Sequence, residues 1–170
     1  LKTNTKQKAT IFGVRVKDPQ RYGVITFDNK GNPTEIIEKP KVPKSDYAVA
    51  GLYFYPNSVI KIAKTIEPSK RGELEITSVN QNYLNQKNLH LEKLGKGFTW
   101  LDTGTHESLL EAGQFIQTIE KRQGAKVGCL EEIAFENGWI SKENVLSSAK
   151  VFTNNAYGDY LLKKYSKDEN

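Results

Sequence analysis

Apolar and polar positions divide the chain into short strands first and helices later. Residues 9–16 (Ala-Thr-Ile-Phe-Gly-Val-Arg-Val) are an apolar run that predicts a buried strand. Asp18-Pro19 turns the chain, and Tyr22 to Phe27 alternates as a second strand. Asp28-Asn29-Lys30-Gly31-Asn32-Pro33 has the chemistry of a hairpin loop, with Gly31 able to take positive φ. Thr34 to Lys39 predicts the returning partner, stopped by Pro40 and Pro43. Tyr47 to Tyr55 is nearly continuous in apolar residues, as in a strand covered on both faces.

The period then lengthens. After Pro56-Asn57-Ser58, residues Val59, Ile62, Ala63 and Ile66 form one helical stripe that Pro68 ends. A second helix is expected from Glu73, with Ile76, Val79, Tyr83 and Leu84 on one face. Leu89–Leu94 and Phe98–Leu101 predict strands around a Gly95-Lys96-Gly97 turn. Thr105 to Gln123 is the clearest helix: Leu109, Ala112, Gly113, Ile116 and Ile119 point inward, and Lys121 and Arg122 suit the dipole at its end. Gly124 terminates it. Short helical segments follow at 131–136, 141–149 and 157–164, anchored by Trp139-Ile140 and by Tyr157, Tyr160 and Leu161. The pattern is mixed α/β with an incomplete sheet. Residues 1–124 are expected to form one portion, and 125–170 a helical appendage suited to an oligomer or regulatory contact.

Composition narrows the class. Hydrophobic residues at 37% and charged ones at 26% describe a globular chain, and no apolar run reaches the ~20 residues of a membrane span. The single cysteine, Cys129, excludes an internal disulfide framework and suits a reducing cytoplasm. With two histidines besides, a structural zinc set is not expected. The net charge of +5 is dispersed except at Lys2-Lys6-Lys8, Lys39-Lys41-Lys44 and Lys163-Lys164-Lys167. No Arg-rich helix or aromatic-basic signature accompanies it, so neither nucleic acid nor membrane is an expected partner. The chain opens on Leu1, without a secretory leader pattern, and contains no methionine; further chain upstream is expected.

Two clusters could carry chemistry. In Trp100-Leu101-Asp102-Thr103-Gly104-Thr105-His106 a β-prone run ends in a carboxylate, a Gly turn follows, and Thr105 can cap the next helix. An Asp at a strand's carboxyl end beside a helix start is where α/β proteins hold metals and phosphates; Asp102 and Thr103 could equally satisfy only the turn and cap. Glu38-Lys39-Pro40 closes a strand with adjacent acid and base, whose side chains alternate unless the proline distorts the end. If both face a crevice, Glu38 could accept hydrogen bonds from hydroxyls and Lys39 hold a phosphate as a point charge, or both could be solvated. Arg71, in Lys70-Arg71-Gly72-Glu73, could fork a phosphate or merely start a helix, and His106 suits a surface or capping role. There is no G-x-G-x-x-G or P-loop, and Gly95-Lys96-Gly97 is too short to cradle phosphates.

Together with Asp18-Pro19, Arg21-Tyr22-Gly23-Val24, Tyr47 to Tyr55, Arg71 to Thr77, Leu109-Leu110-Glu111-Ala112, Glu131-Glu132-Ile133-Ala134 and Tyr157-Gly158, these motifs make the chain resemble the carboxyl-terminal portion of the glucose-1-phosphate thymidylyltransferases, bacterial sugar nucleotidyltransferases. The resemblance covers nearly the whole chain in order. It implies an incomplete mixed-sheet, Rossmann-like nucleotidyltransferase fold lacking the amino-terminal nucleotide-binding half. It also implies that Gly23, Glu38, Lys39, Val49, Tyr53, Arg71, Glu73 and Trp100 contact substrate. Lys39, Arg71 and Asp102 would be catalytic, with Asp102 one of two carboxylates on Mg²⁺.

The implied reaction joins glucose 1-phosphate to dTTP, giving dTDP-glucose and pyrophosphate, and feeds dTDP-rhamnose-type polysaccharide synthesis. The attacking phosphate oxygen is already ionised at neutral pH, so cations matter more than a general base. The family's tetrameric habit implies a homo-oligomer, and without the triphosphate-gripping half the chain is expected to be inactive alone. A non-catalytic assembly or regulatory module, or a sister enzyme using UTP or CTP, remain alternatives.

Overall fold

In the computed structural model, which describes residues 8–152 and 154–166, the strand-then-helix succession is present with one omission. Lys2, Lys6 and Lys167 of the lysine clusters lie outside the described residues. Strands β1 (Ala9–Arg15), β2 (Gly23–Phe27), β3 (Pro33–Glu38), β4 (Tyr47–Phe54) and β5 (Leu89–Lys93) form one sheet in the order β3-β2-β4-β1-β5. β1 is parallel to β5 and antiparallel to β4, while β2 is antiparallel to β3 and β4. The sheet is therefore mixed, as the sequence led us to expect. Helices α1 (Val59–Ala63) and α2 (Ile76–Asn85) precede β5; α3 (His106–Gln123), α4 (Leu130–Glu136), α5 (Lys142–Val151) and α6 (Ala156–Tyr165) follow it. Among the described residues, no helix is long and apolar enough to cross a membrane.

The chain divides into two compact units, Leu1–Trp100 and Leu101–Asn170, so α3 groups with the later helices. In the first unit, strand alternation sends Ile11, Ile25, Ile36 and Val49 to one face. There they pack with Leu84 of α2 and with Leu89 and Leu91, and Ala9, Val79 and Tyr83 extend the layer. Each such large side chain contributes about 1.5–3 kcal/mol when fully buried. Phe12, Val14, Ala48 and Ala50 form the opposite face with Tyr22, Leu94 and Trp100. The β2–β3 hairpin is closed as expected: Asp28 Oδ1 accepts from the N–H groups of Lys30 and Asn32 at 2.8 Å, and Gly31 has φ 82°.

Three expectations are corrected. Phe98–Leu101 is not a strand, so Asp102 does not end one. The Gly95–Phe98 turn closes at 3.1 Å, but Trp100 then packs edge-to-face on Tyr22 with ring centroids 4.9 Å apart. That aromatic contact, and not a ladder with β5, decides the course of the segment. β4 is covered only over Ala48–Ala50; Gly51 and Leu52 are exposed. Between Ile11↔Tyr53 and Gly13↔Val49 the register advances further on β4 than on β1, and this bulge lifts Gly51 and Leu52 out of the ladder. The second helix starts at Ile76 instead of Glu73, because Glu73 and Glu75 are engaged by Arg71 in the preceding loop.

In the second unit, Thr105 and Ser108 form a reciprocal cap on α3 and Gly124 ends it at φ 66°, as their residue types foretold. Ala112 is buried and Ile116 and Ile119 half-buried, whereas Leu109 and Gly113, expected inward, are exposed. They line an open groove on α3 with Leu110; α4, α5 and α6 pack on one another and leave this turn uncovered. Those three helices enclose Cys129, Val145, Ala149, Leu161 and Tyr165.

A polar clamp ties α6 to α4. Glu132 accepts from Tyr160 Oη at 2.6 Å and from the Lys164 ammonium. Burial raises the Glu132 carboxyl, but these donors outweigh it and hold the group below its usual 4.5. A carboxylate with a depressed folded-state pKa stabilises above its unfolded value and loses that contribution as pH falls through the folded one. Thermal melts of the helical unit are therefore expected to be flat in this contribution above about pH 4.5 and to fall below it. Glu132→Gln should remove that part of the acid slope; an unchanged slope would refute the clamp.

Candidate functional site

The hairpin register sets Gly23 opposite Glu38, and the first turn of α2 delivers Thr77 to the same point, where its hydroxyl donates to Glu38 Oε2. A Cβ at position 23 would lie 2.9 Å from Thr77 Oγ1, 3.3 Å from Glu38 Oε2 and 3.8 Å from Val49 Cγ2. Glycine is required here by close approach, since its φ is unremarkable. Half-buried Tyr53 shares this face. Burial, and then the Glu38 charge, push its phenol upward. Gly23, Glu38, Val49 and Tyr53 are thus one locality.

Lys39 follows β3 with φ +41°, although its N–H still donates to the Tyr22 carbonyl at 2.9 Å. Left-handed backbone is costly for a residue with a Cβ, and the proline after it disfavours helical-type geometry further. The strand alternation that would separate Glu38 and Lys39 ends at this distortion. Strain of this kind clusters at functional sites.

Arg71 stands at a groove of about 450 Å³ between β3 and α2, together with Glu38, Ser69, Glu75 and Thr77. Its guanidinium reaches Glu73 and Glu75 at 3.1 Å each, and Ser69 Oγ donates to Glu75 at 3.1 Å. The arginine is therefore held by carboxylates. Glu73 is exposed, and Trp100 lies on the other face of the sheet, against Tyr22. His106 is the exposed first residue of α3.

Asp102 belongs to the second unit, where its carboxylate folds over the Gly104 turn; a Cβ on Gly104 would be 3.3 Å from Oδ2. Among the described residues no group of three or more His, Cys, Asp or Glu converges as metal ligands. Mg²⁺ takes roughly six oxygens in octahedral array, so these residues do not make its site by themselves.

Sequence patterns singled out neither Thr77, Glu75 nor Gln81 for the site. Glu75 and Thr77 are ordinary polar residues at the start of α2, and Gln81 is one in its middle. The available signal was Thr77 immediately following Glu75-Ile76, at the turn where α2 begins.

A family model described as "Nucleotidyl transferase" matches residues 1–119. The glucose-1-phosphate thymidylyltransferase of Neisseria gonorrhoeae is 53% identical over 154 residues, covering 91% of this chain and 54% of the relative. That of Xanthomonas campestris pv. campestris is 54% identical over 156 residues, covering 92% and 53%. A solved Bacillus anthracis protein in complex with sucrose superposes with a TM-score of 0.59 at 43% identity, over 66% of this chain and 45% of that one. UDP-glucose pyrophosphorylase complexed with UDP-glucose, at 22% identity and a TM-score of 0.58, shares the fold. The chain spans about half the length of the curated relatives it matches.

Proposed function

The chain belongs to the nucleotidyl transferase family, and from that premise we propose that it supplies the sugar-phosphate side of a glucose-1-phosphate thymidylyltransferase. The observation that carries this reading is the convergence of Gly23, Glu38 and Thr77 at one point. Thr77 engages one oxygen of the Glu38 carboxylate and orients the other toward a ligand hydroxyl. The missing side chain at Gly23 gives Thr77 and Glu38 room to meet, and the sugar ring would lie against this pair with Val49 and Tyr53 beside it. Lys39 places a point charge at the phosphate, and Arg71 exchanges part of its carboxylate pairing for it. Glu73 would add a contact from the loop before α2, whereas Trp100, on the opposite face of the sheet against Tyr22, lies apart from these residues.

In the proposed reaction a phosphate oxygen of glucose 1-phosphate attacks the α-phosphorus of dTTP, and pyrophosphate leaves with the electron pair of the broken bond. This chain's part is to hold and neutralise the attacking phosphate in line. Mg²⁺ would draw one oxygen from Asp102, and its remaining ligands from substrate phosphates and the rest of the enzyme. A cytoplasmic homo-oligomer feeding dTDP-sugar synthesis is the matching setting.

Lys39→Gly tests the reading by pushing stability and binding in opposite directions. Left-handed strain of about 1–2 kcal/mol is relieved, while glycine's extra chain entropy returns about 0.5–1 kcal/mol, so the variant should gain roughly 0.5 kcal/mol. Loss of a charged hydrogen bond of about 1.5–3 kcal/mol should weaken glucose 1-phosphate binding tenfold or more. An NMR titration and a urea melt of the same samples measure both. Unchanged affinity would show Lys39 to be an ordinary strand-end residue.

A further inference from the structure

We propose that Gln81 is a positioning residue for the sugar site, setting the Thr77–Glu38 contact by anchoring α2 to the free edge of β3. This rests on the reading of Glu38 as a sugar ligand. Among the described residues β3 is the outer strand of the sheet, and its backbone groups alternate between β2 and the side that faces α2. The Ile36 N–H points outward and donates to Gln81 Oε1 at 2.7 Å, across the rim of the groove. Gln81 Nε2 in turn donates to Asn85 Oδ1 at 2.7 Å, one turn further on, which fixes the side-chain amide's orientation.

Thr77 and Gln81 are four apart on α2, hence on one face of the helix; Ile36 and Glu38 are two apart on β3, hence on one side of the strand. Helix and strand edge are thereby joined at successive repeats of each. One joint, Gln81 to Ile36, is backbone-directed and leaves the substrate untouched. The other, Thr77 to Glu38, orients the carboxylate proposed to read the sugar. With Gly23 allowing no slack behind Thr77, a small slide of α2 along β3 would move the Thr77 hydroxyl off Glu38 or against Gly23.

The test compares Gln81→Met, which keeps length but has no matching acceptor, with Gln81→Glu, which keeps an oxygen at the same reach. Three readouts are taken on the 170-residue chain: hydrogen exchange at the Ile36 amide, the Thr77 methyl resonance, and affinity for glucose 1-phosphate beside inorganic phosphate. Gln81→Met is expected to speed Ile36 exchange about fivefold or more, to shift the Thr77 methyl, and to weaken glucose 1-phosphate severalfold with inorganic phosphate unaffected. Gln81→Glu should restore all three. Faster Ile36 exchange with an unmoved Thr77 methyl would overturn the proposal, as would a loss of sugar-phosphate affinity that Gln81→Glu does not rescue. A wild-type chain that binds no glucose 1-phosphate would overturn the proposed function instead. The Ile36 and Thr77 signals would then decide the role of Gln81 alone: linked in Gln81→Met and restored in Gln81→Glu, they support it, and unlinked they refute it.

Discussion

Replacing Gly158 by alanine is expected to remove a large share of the stability of the carboxyl-terminal helical unit. Gly158 is buried in the first turn of α6, where Asn155 Oδ1 accepts its N–H at 3.0 Å. A Cβ built there overlaps the Phe152 carbonyl oxygen and lies 2.9 Å from its carbon and 3.0 Å from the Ala149 oxygen. These are backbone atoms at the end of α5, so no rotamer change relieves the clash. α6 must withdraw, which opens the contacts around Leu161, Val145 and Ala149, all fully buried. Overpacking against rigid surroundings costs about 1–3 kcal/mol and occasionally more. A small domain holds only about 0.05–0.15 kcal/mol per residue, so the loss is a large share of this unit's stability. The control is Gly113→Ala, in the middle of α3, where a Cβ meets nothing within 4 Å. It should stabilise by about 0.5–1 kcal/mol through helix propensity. Exchange protection at the Val145 and Leu161 amides reports the outcome; protection retained in Gly158→Ala would refute the close-approach account.

What was legible in the sequence was local. The Gly31 turn, the Thr105 cap and the Gly124 stop each depend on a few adjacent residues whose backbone preferences suffice, and all three are present. The failures came where a distant partner decides. Phe98–Leu101 has the residues of a strand, but strand propensity describes a fit to a surface, and Tyr22 offered Trp100 a better one. The β4 bulge depends on its register against β1, which no single strand specifies. Leu109 and Gly113 share a helical stripe with Ala112, yet only Ala112 met a covering surface. Gly23 and Glu38 stood out as motif residues, but their relation to each other came from the hairpin register. Thr77 and Gln81 resemble any polar residue on a half-exposed helix. Only the fold shows that both reach β3.

Gly23→Ala is expected to abolish detectable glucose 1-phosphate binding at moderate cost to stability. The added methyl meets Thr77 Oγ1 at 2.9 Å and Glu38 Oε2 at 3.3 Å, both side-chain atoms. They can yield where the backbone of Phe152 cannot, so the fold should survive with a loss of about 1–3 kcal/mol. What yields is the pair that defines the site, since Thr77 cannot retreat without releasing the carboxylate it orients. Thr77→Ala alone leaves that carboxylate oxygen without its donor, for a loss of about 1–3 kcal/mol. In the double variant the methyl occupies space the hydroxyl has vacated, so the two penalties should fall short of their sum by about 0.5–3 kcal/mol. Binding should not return with stability, because Glu38 still lacks its orienting donor. Urea melts and an NMR titration of the four proteins decide between two accounts. Additive stabilities would show that Gly23 and Thr77 do not compete for space. Recovery of binding in the double variant would show that Gly23 matters for room alone, with Thr77 having no part in setting Glu38.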